Sequence, residues 1–328
     1  MIPEQMTAIA VEGGKGPAET LKPVRIPTPR AGEGQILIRV RAAGVNRPDL
    51  IQRLGFYPPP PGAPPTLGLE VAGEVAEVGR AAPRWRVGDK VTALLGGGGY
   101  AEYAVVDARH ALPIPDGFDF VQAAGLPETV FTVFANVFEH GALKAGETLL
   151  VHGATSGIGV TAIQMAKAAG ARVIATGRGA DKAARARALG ADIAVDSTAQ
   201  DFAEAVKAAG GCDVALDMVG GDYVAKDLDA LNMGGRLVVI ATQAGSNVEV
   251  NLLKIMQKRL VLTGSTLRPR SADEKARLAA AVEAHVWPQV AAGRLTSVID
   301  QTFPLAEAAK AHARLEAGDH VGKVVLTV

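Results

Sequence analysis

The chain has 328 residues, of which 48% are hydrophobic, with 34 Lys plus Arg against 34 Asp plus Glu. That length suggests two domains with ample core material, and zero net charge offers no electrostatic footprint for nucleic acid or an anionic membrane. The one cysteine, Cys212, excludes an intrachain disulfide and a four-cysteine zinc site, and the absence of a leader-like or bilayer-length apolar run predicts a soluble, cytoplasmic protein.

The first third reads as β-rich and dense in turns. Residues 35–42, QILIRVRA, alternate with period two: Ile36, Ile38 and Val40 form one face and Arg39 and Arg41 the other, as in a half-buried strand. Further β-like stretches at 69–78, 90–95 and 100–106 are punctuated by Gly79, Gly88 and Gly96 to Gly99. The proline-rich segment 57–65, YPPPPGAPP, is either a polyproline ligand or a stiff loop; its place inside a domain favours the loop. From Val121 the sequence becomes alanine-rich and helical, and residues 121–142 are the connection into a second domain.

Residues 147–159, ETLLVHGATSGIG, predict a short apolar strand, a tight turn of small residues and the first turn of a helix, which Gly170 would end. A second strand over 171–176 completes a βαβ unit. Counting the dinucleotide fingerprint back from Gly159 gives Ala154, Ser156 and Gly159, so one of three glycines survives, but in the context where the pattern carries meaning. Helix N-terminal N–H groups and the helix dipole attract a pyrophosphate, small residues at Ala154, Ser156 and Gly157 let it approach, and the Ser156 hydroxyl is a further donor. The competing reading is a plain strand-to-helix turn in an enzyme without a nucleotide.

An NAD site places a carboxylate at the end of the second strand to grip the ribose 2′-hydroxyl. Here Arg178 stands there, with Lys182 following, so a 2′-phosphate fits and NADPH is expected over NADH. Alternatively, both cations are solvated charges opening the next helix. Candidate strands at 191–196, 213–218, 236–241 and 260–265 alternate with helical segments at 180–189, 200–209 and 222–232, implying an α/β, doubly wound parallel sheet of about six strands. A helix at 271–286 and a final strand at 323–328 are expected to return to the first domain.

Several stretches carry a resemblance: Ala43-Gly-Val-Asn46-Arg-Pro-Asp49, Gly68-Leu-Glu-Val-Ala-Gly73 with Val78-Gly79, Val87-Gly-Asp-Lys-Val91, the ATSGIG turn, and His320-Val-Gly-Lys-Val-Val-Leu326. In order and spacing they resemble the medium-chain dehydrogenase/reductase superfamily, and within it the zinc-free, zeta-crystallin-like NADPH quinone oxidoreductases. The resemblance implies a Rossmann domain at 125–265, a discontinuous, β-rich GroES-like substrate domain from 1–124 and 266–328, and a homodimer. Zinc-dependent relatives carry a cysteine where Asn46 stands and a histidine where Leu69 stands, so no metal is expected. Without a Lewis acid the substrate must already be electrophilic: a quinone or a conjugated carbonyl compound.

The resemblance also implies roles. Asn46 and Tyr57 line the cleft as candidate oxyanion donors, although Asn46 suits a turn cap and Tyr57 suits packing equally well. Thr155, Ser156, Gly157 and Ile158 meet the pyrophosphate, and Gly177, Arg178 and Lys182 the adenosine phosphate. Ser197 occupies the position of a tyrosine common near the 2′-phosphate. Thr132, Ile240, Ala241, Leu267 and Lys323 match positions around the nicotinamide half. Three other readings compete with this one. A short-chain dehydrogenase needs a Tyr-x-x-x-Lys pair, but Asp227 stands four residues after Tyr223. An enoyl or 2-alkenal reductase shares every residue quoted, and a crystallin-like or RNA-binding role would need a local basic patch.

Overall fold

The computed structural model describes all 328 residues, which fall into two compact units. The first comprises Met1–Phe131, Arg268–Ala291 and Ser297–Val328, and the second Thr132–Leu267 with Ala292–Thr296. Residues 125–131 stay with the first unit because the Glu128 N–H donates to the buried Glu70 carboxylate at 2.8 Å. Residues 292–296 join the second because the Thr296 N–H donates to Gln164 Oε1 at 2.7 Å.

The first unit opens with an antiparallel pair, β1 (Gln5–Val11) and β2 (Leu21–Pro27). Then come β3 (Gln35–Val45), α1 (Arg47–Arg53), β4 (Glu70–Val78), β5 (Lys90–Leu94), β6 (Tyr103–Asp107) and β7 (Ala111–Pro113). β3 does not have the solvated second face that its alternation predicts. Ile36 and Ile38 pack into the main core, while Leu37, on the opposite face, is equally buried against Met6, Ala8, Ala101 and Tyr103. Only Arg39 is exposed along that strand, so the sheet is covered on both sides. Two short helices follow, α2 (Phe120–Ala124) and α3 (Pro127–Val133), the latter running into a wide π-type turn over Phe134–His140.

The second unit is built from β8 (Thr148–Val151), α4 (Gly157–Ala168), β9 (Arg172–Gly177), α5 (Ala180–Ala188), β10 (Ile193–Asp196), α6 (Phe202–Ala208), β11 (Cys212–Asp217), α7 (Asp222–Ala230), β12 (Leu231–Val239), α8 (Leu252–Lys258) and β13 (Val261–Gly264). Its sheet has the order β10-β9-β8-β11-β12-β13, with every neighbouring pair parallel. β8 is fully buried, as a strand covered by helices on both faces must be. This is the doubly wound arrangement, and its strand order reverses at β8. β12 begins earlier than the sequence suggests. Helix α7 stops at Ala230 because Leu231 is already extended, and Gly234 at φ 74° bends the chain inside the strand.

The chain then returns to the first unit with α9 (Ala272–His285), α10 (Trp287–Ala291), β14 (Ile299–Pro304), α11 (Ala308–Ala317) and β15 (Lys323–Thr327). β15 pairs antiparallel with β3 and parallel with β14. The main, seven-stranded sheet of the first unit is therefore made from both parts of the chain. No helix is long and apolar enough to cross a membrane.

Candidate functional site

In the second unit, the turn after β8 is shaped by close backbone approach. Gly153 adopts φ 64°, and the Ala154 N–H donates to Thr176 O on β9 at 3.0 Å. A Cβ on Gly159 would lie 2.3 Å from Gly153 O, so only glycine lets α4 start this close to the turn. Ser156 is the N-cap: its Oγ accepts from the Gly159 N–H at 3.0 Å. Its hydroxyl proton goes to Gly153 O at 2.8 Å, so the Ser156 side chain shapes the turn and does not stand free to donate, as the sequence reading had it. The backbone N–H groups of Thr155, Gly157 and Ile158 have no acceptor within the chain. Three unsatisfied donors at the start of a twelve-residue helix form a cradle for an anion, and a pyrophosphate fits it.

Several of the other positions expected to meet a cofactor follow the carboxyl ends of strands. Gly177 ends β9, and a Cβ there would meet Lys182 Cβ at 2.8 Å. Arg178 is exposed and makes no hydrogen bond or ion pair with the protein. A residue the sequence reading missed fixes this loop: Asp196, at the end of β10, accepts from the Gly179 N–H at 2.8 Å and from Thr198. Those hydrogen bonds hold its carboxyl below the usual range. The Ser197 N–H donates to Gly177 O at 3.0 Å, so Ser197 braces the loop through its backbone. Ile240 and Ala241 follow β12, with the Ile240 N–H donating to Asp217 O at 2.8 Å, and Leu267 follows β13 and is buried. Thr132 is buried in α3, where its carbonyl accepts from Asn136 Nδ2 at 2.8 Å.

Inside this unit the structure also assembles a buried group that no sequence spacing announced. His152 Nε2 and Asp227 Oδ1 are 2.8 Å apart, and ligand-type atoms of His152, Asp217 and Asp227 lie within 4.8 Å of one another. Burial opposes the charge on His152, but Asp227 outweighs it and the imidazole is pushed up. Asp217 accepts from the Val219 and Gly220 N–H groups and so ties down the loop after β11.

The first unit holds a second polar centre. Asn46 precedes α1, and its backbone N–H donates to Asp49 Oδ2 at 2.9 Å. Its side chain does not cap the helix. Nδ2 donates to Glu70 Oε1 at 2.8 Å, and Oδ1 accepts from Lys323. Lys323 belongs to this cluster: its ammonium also reaches Val45 O at 3.2 Å and forms an ion pair with fully buried Glu70 at 2.7 Å. Asp49 accepts from the Gly68 N–H and the Tyr100 hydroxyl, yet burial pushes its carboxyl up to about 6. Tyr57 is half-buried in the proline-rich loop, with the Arg268 guanidinium 5.3 Å from its ring centroid. Burial, helped by Glu128, raises its phenol, which keeps the proton available for donation. Glu70 had a sequence signal, a carboxylate within the otherwise apolar Leu67–Gly73 run. Glu128 and Arg268 had none, because chain segments far apart bring them together.

A doubly wound sheet with an anion cradle at its switch point, in a chain that also builds a β-rich unit closed by both of its parts, defines a dinucleotide-dependent oxidoreductase of the medium-chain type. Residues 32–116 match the alcohol dehydrogenase GroES-like domain, and residues 189–326 match the zinc-binding dehydrogenase family. The quinone oxidoreductase of Lama guanicoe is 34% identical over 337 residues, covering 98% of this chain and 97% of that protein. The quinone oxidoreductase of Pseudomonas aeruginosa is 37% identical over 300 residues, covering 90% and 91%. The crystal structure of Escherichia coli quinone oxidoreductase complexed with NADPH superimposes with a TM-score of 0.86 at 28% identity, over 99% of each chain. The chain belongs to the quinone oxidoreductase family of the medium-chain dehydrogenase/reductase superfamily.

Proposed function

We propose that this protein reduces quinones with NADPH and without a metal. The observation that carries the cofactor reading is the carboxyl edge of the parallel sheet. Three N–H groups without an acceptor lie there at the start of α4, and unpaired Arg178 follows β9 where an NAD site keeps an acid. Kinship with full-length quinone oxidoreductases supports the substrate class. When bound, NADPH supplies the hydride. Thr155, Gly157 and Ile158 then hold the pyrophosphate, and Arg178 with Lys182 neutralises the 2′-phosphate. Asp196 and Ser197 keep the Arg178 loop in place, while Thr132, Ile240, Ala241 and Leu267 border the nicotinamide half.

In the first unit Lys323 and Glu70 hold Asn46 in one rotamer, with one Nδ2 hydrogen left over for a substrate oxygen, and Tyr57 offers its phenol. Zinc-dependent relatives would need thiolate and imidazole at positions 46 and 69, where this chain has an amide committed to Glu70 and Lys323 and a buried leucine.

A homodimer also fits. β13 is an edge strand of the sheet, with Val261 and Leu262 exposed, and α8 beside it presents Met256 at 71% exposure. Sedimentation at micromolar concentration is expected to give twice the chain mass. The activity test is steady-state NADPH oxidation with 1,2-naphthoquinone, 1,4-benzoquinone and a 2-alkenal, together with a simple alcohol plus NADP⁺. Quinone turnover should dominate. Faster turnover of the alkenal would move the assignment to a double-bond reductase, and zinc-dependent alcohol oxidation would overturn it.

A further inference from the structure

The first unit contains a group of ionisable side chains that the cofactor reading leaves without a task. Arg268 is only 6% exposed. Its Nε donates to Gly96 O at 2.9 Å and its Nη1 reaches Tyr57 O at 3.4 Å, but Nη2 is buried with no acceptor. Lys275, 9% exposed, spends a proton on Arg268 O at 2.6 Å. No carboxylate forms an ion pair with either cation, and burial lowers both. Two desolvated positive charges without a counter-ion are a costly arrangement that an incoming negative oxygen would relieve.

Glu128 is the leading acid acting on Lys275 and Tyr57, and it acts in the same sense on Arg268, where Asp49 acts more strongly. Its N–H is anchored on Glu70, while its own carboxyl makes no hydrogen bond or ion pair within the chain. Burial pushes that carboxyl up to about 8, with Glu70 and Asp49 acting in the same sense and Lys323 and Arg268 opposing. At neutral pH it therefore holds its proton. A protonated acid within the electrostatic reach of a buried guanidinium whose Nη2 is unsatisfied is the combination needed where charge develops on an oxygen and must then be discharged.

We propose that Arg268 and Glu128 form the acceptor-oxygen site. Arg268 donates an Nη2 hydrogen to the oxygen that becomes negative as the quinone is reduced, and Glu128 supplies that oxygen with its proton. This rests on the quinone reductase reading. Reduction at the hydride level would give the quinone two electrons and one hydrogen and leave one of its oxygens as a phenolate. The Glu128 O–H bond breaks as the phenol O–H bond forms, and the resulting carboxylate regains a proton from solvent. Lys275 backs Arg268 with a second positive charge, and Tyr57 stacks against the guanidinium, so the substrate ring is oriented by its oxygen.

The experiment compares wild type with Glu128→Gln, Arg268→Gln and Arg268→Lys in single-turnover reduction of 1,4-benzoquinone across pH 6–10. Wild type should lose rate above about pH 8 as Glu128 ionises. Glu128→Gln should be slower by about 100-fold and lack that alkaline limb. Arg268→Gln should raise the quinone KM about tenfold and leave the NADPH KM unchanged, with partial recovery in Arg268→Lys. Infrared titration supplies a readout independent of turnover: a protonated-carboxyl band that disappears near pH 8 in wild type and is absent in Glu128→Gln. An active wild type whose alkaline limb and band survive in Glu128→Gln, or whose Arg268→Gln variant keeps its quinone KM, overturns this inference alone. A wild type that oxidises no NADPH with any quinone overturns the functional reading beneath it as well.

Discussion

Arg178→Ala is the most direct probe of the cofactor assignment. The guanidinium sits just past β9, exposed and without any protein partner, so its removal breaks no contact of the fold. A charge-assisted hydrogen bond contributes about 1.5–3 kcal/mol, and exposure to solvent and salt takes this one to the lower end. At about 1.4 kcal/mol per factor of ten, the KM for NADPH should rise about tenfold. The KM for NADH, which has no 2′-phosphate, should change by less than about twofold. Lys182, whose Cβ lies beside Gly177, supplies a second cation, so Arg178→Ala/Lys182→Ala should go further, to about 50-fold. The assay is initial-rate oxidation of each dinucleotide at fixed quinone, with unchanged thermal melting as the folding control. Equal effects on NADPH and NADH, or none on either, would refute the assignment of Arg178 to the 2′-phosphate.

Three further outcomes follow from the same geometry. Gly159→Ala forces a methyl group against Gly153 O and Ala154, both backbone, so it should cost about 1–3 kcal/mol and abolish the melting shift that NADPH gives wild type. Retention of that shift would count against the turn as the pyrophosphate cradle. Lys323→Met leaves fully buried Glu70 without a counter-charge and should cost about 3–5 kcal/mol in urea unfolding; Lys323→Met/Glu70→Gln should recover part of this, whereas additive losses would show the pair is not coupled. Glu128 is raised on folding from 4.5 to about 8, so the folded state binds the extra proton, and wild type should lose stability relative to Glu128→Gln as pH climbs from about 4.5 to about 8. Discounted for partial exposure, the difference at pH 8 should be about 2–4 kcal/mol, and parallel curves would show that Glu128 titrates normally.

The parallel sheet was legible because its strands are short apolar runs bounded by glycines, and the βαβ turn because all its parts are neighbours in sequence. β1, β2 and β14 were not found: Leu21–Pro27 is mostly exposed and carries two prolines, and Ile299–Pro304 is half polar. Neither presents the alternation that a one-sided strand would. Leu37 failed the pattern for the opposite reason, because a second layer of side chains covers the face assigned to solvent. At the site, Asn46 and Lys323 stood out through their motifs, but their mutual contact across Glu70 joins residues 46, 70 and 323, and no local spacing reports that. The unpaired Arg268 nitrogen is visible only after the fold has closed around it.

The antiparallel seam between β3 and β15 has a consequence for biosynthesis. When the nascent chain has delivered residue 267, every strand of the dinucleotide sheet is already outside the ribosome and able to assemble, whereas β3 still waits for the partner that carries Lys323. Until that strand arrives Glu70 lacks its cation, so the order of synthesis gives the parallel sheet a head start over the unit that β15 completes.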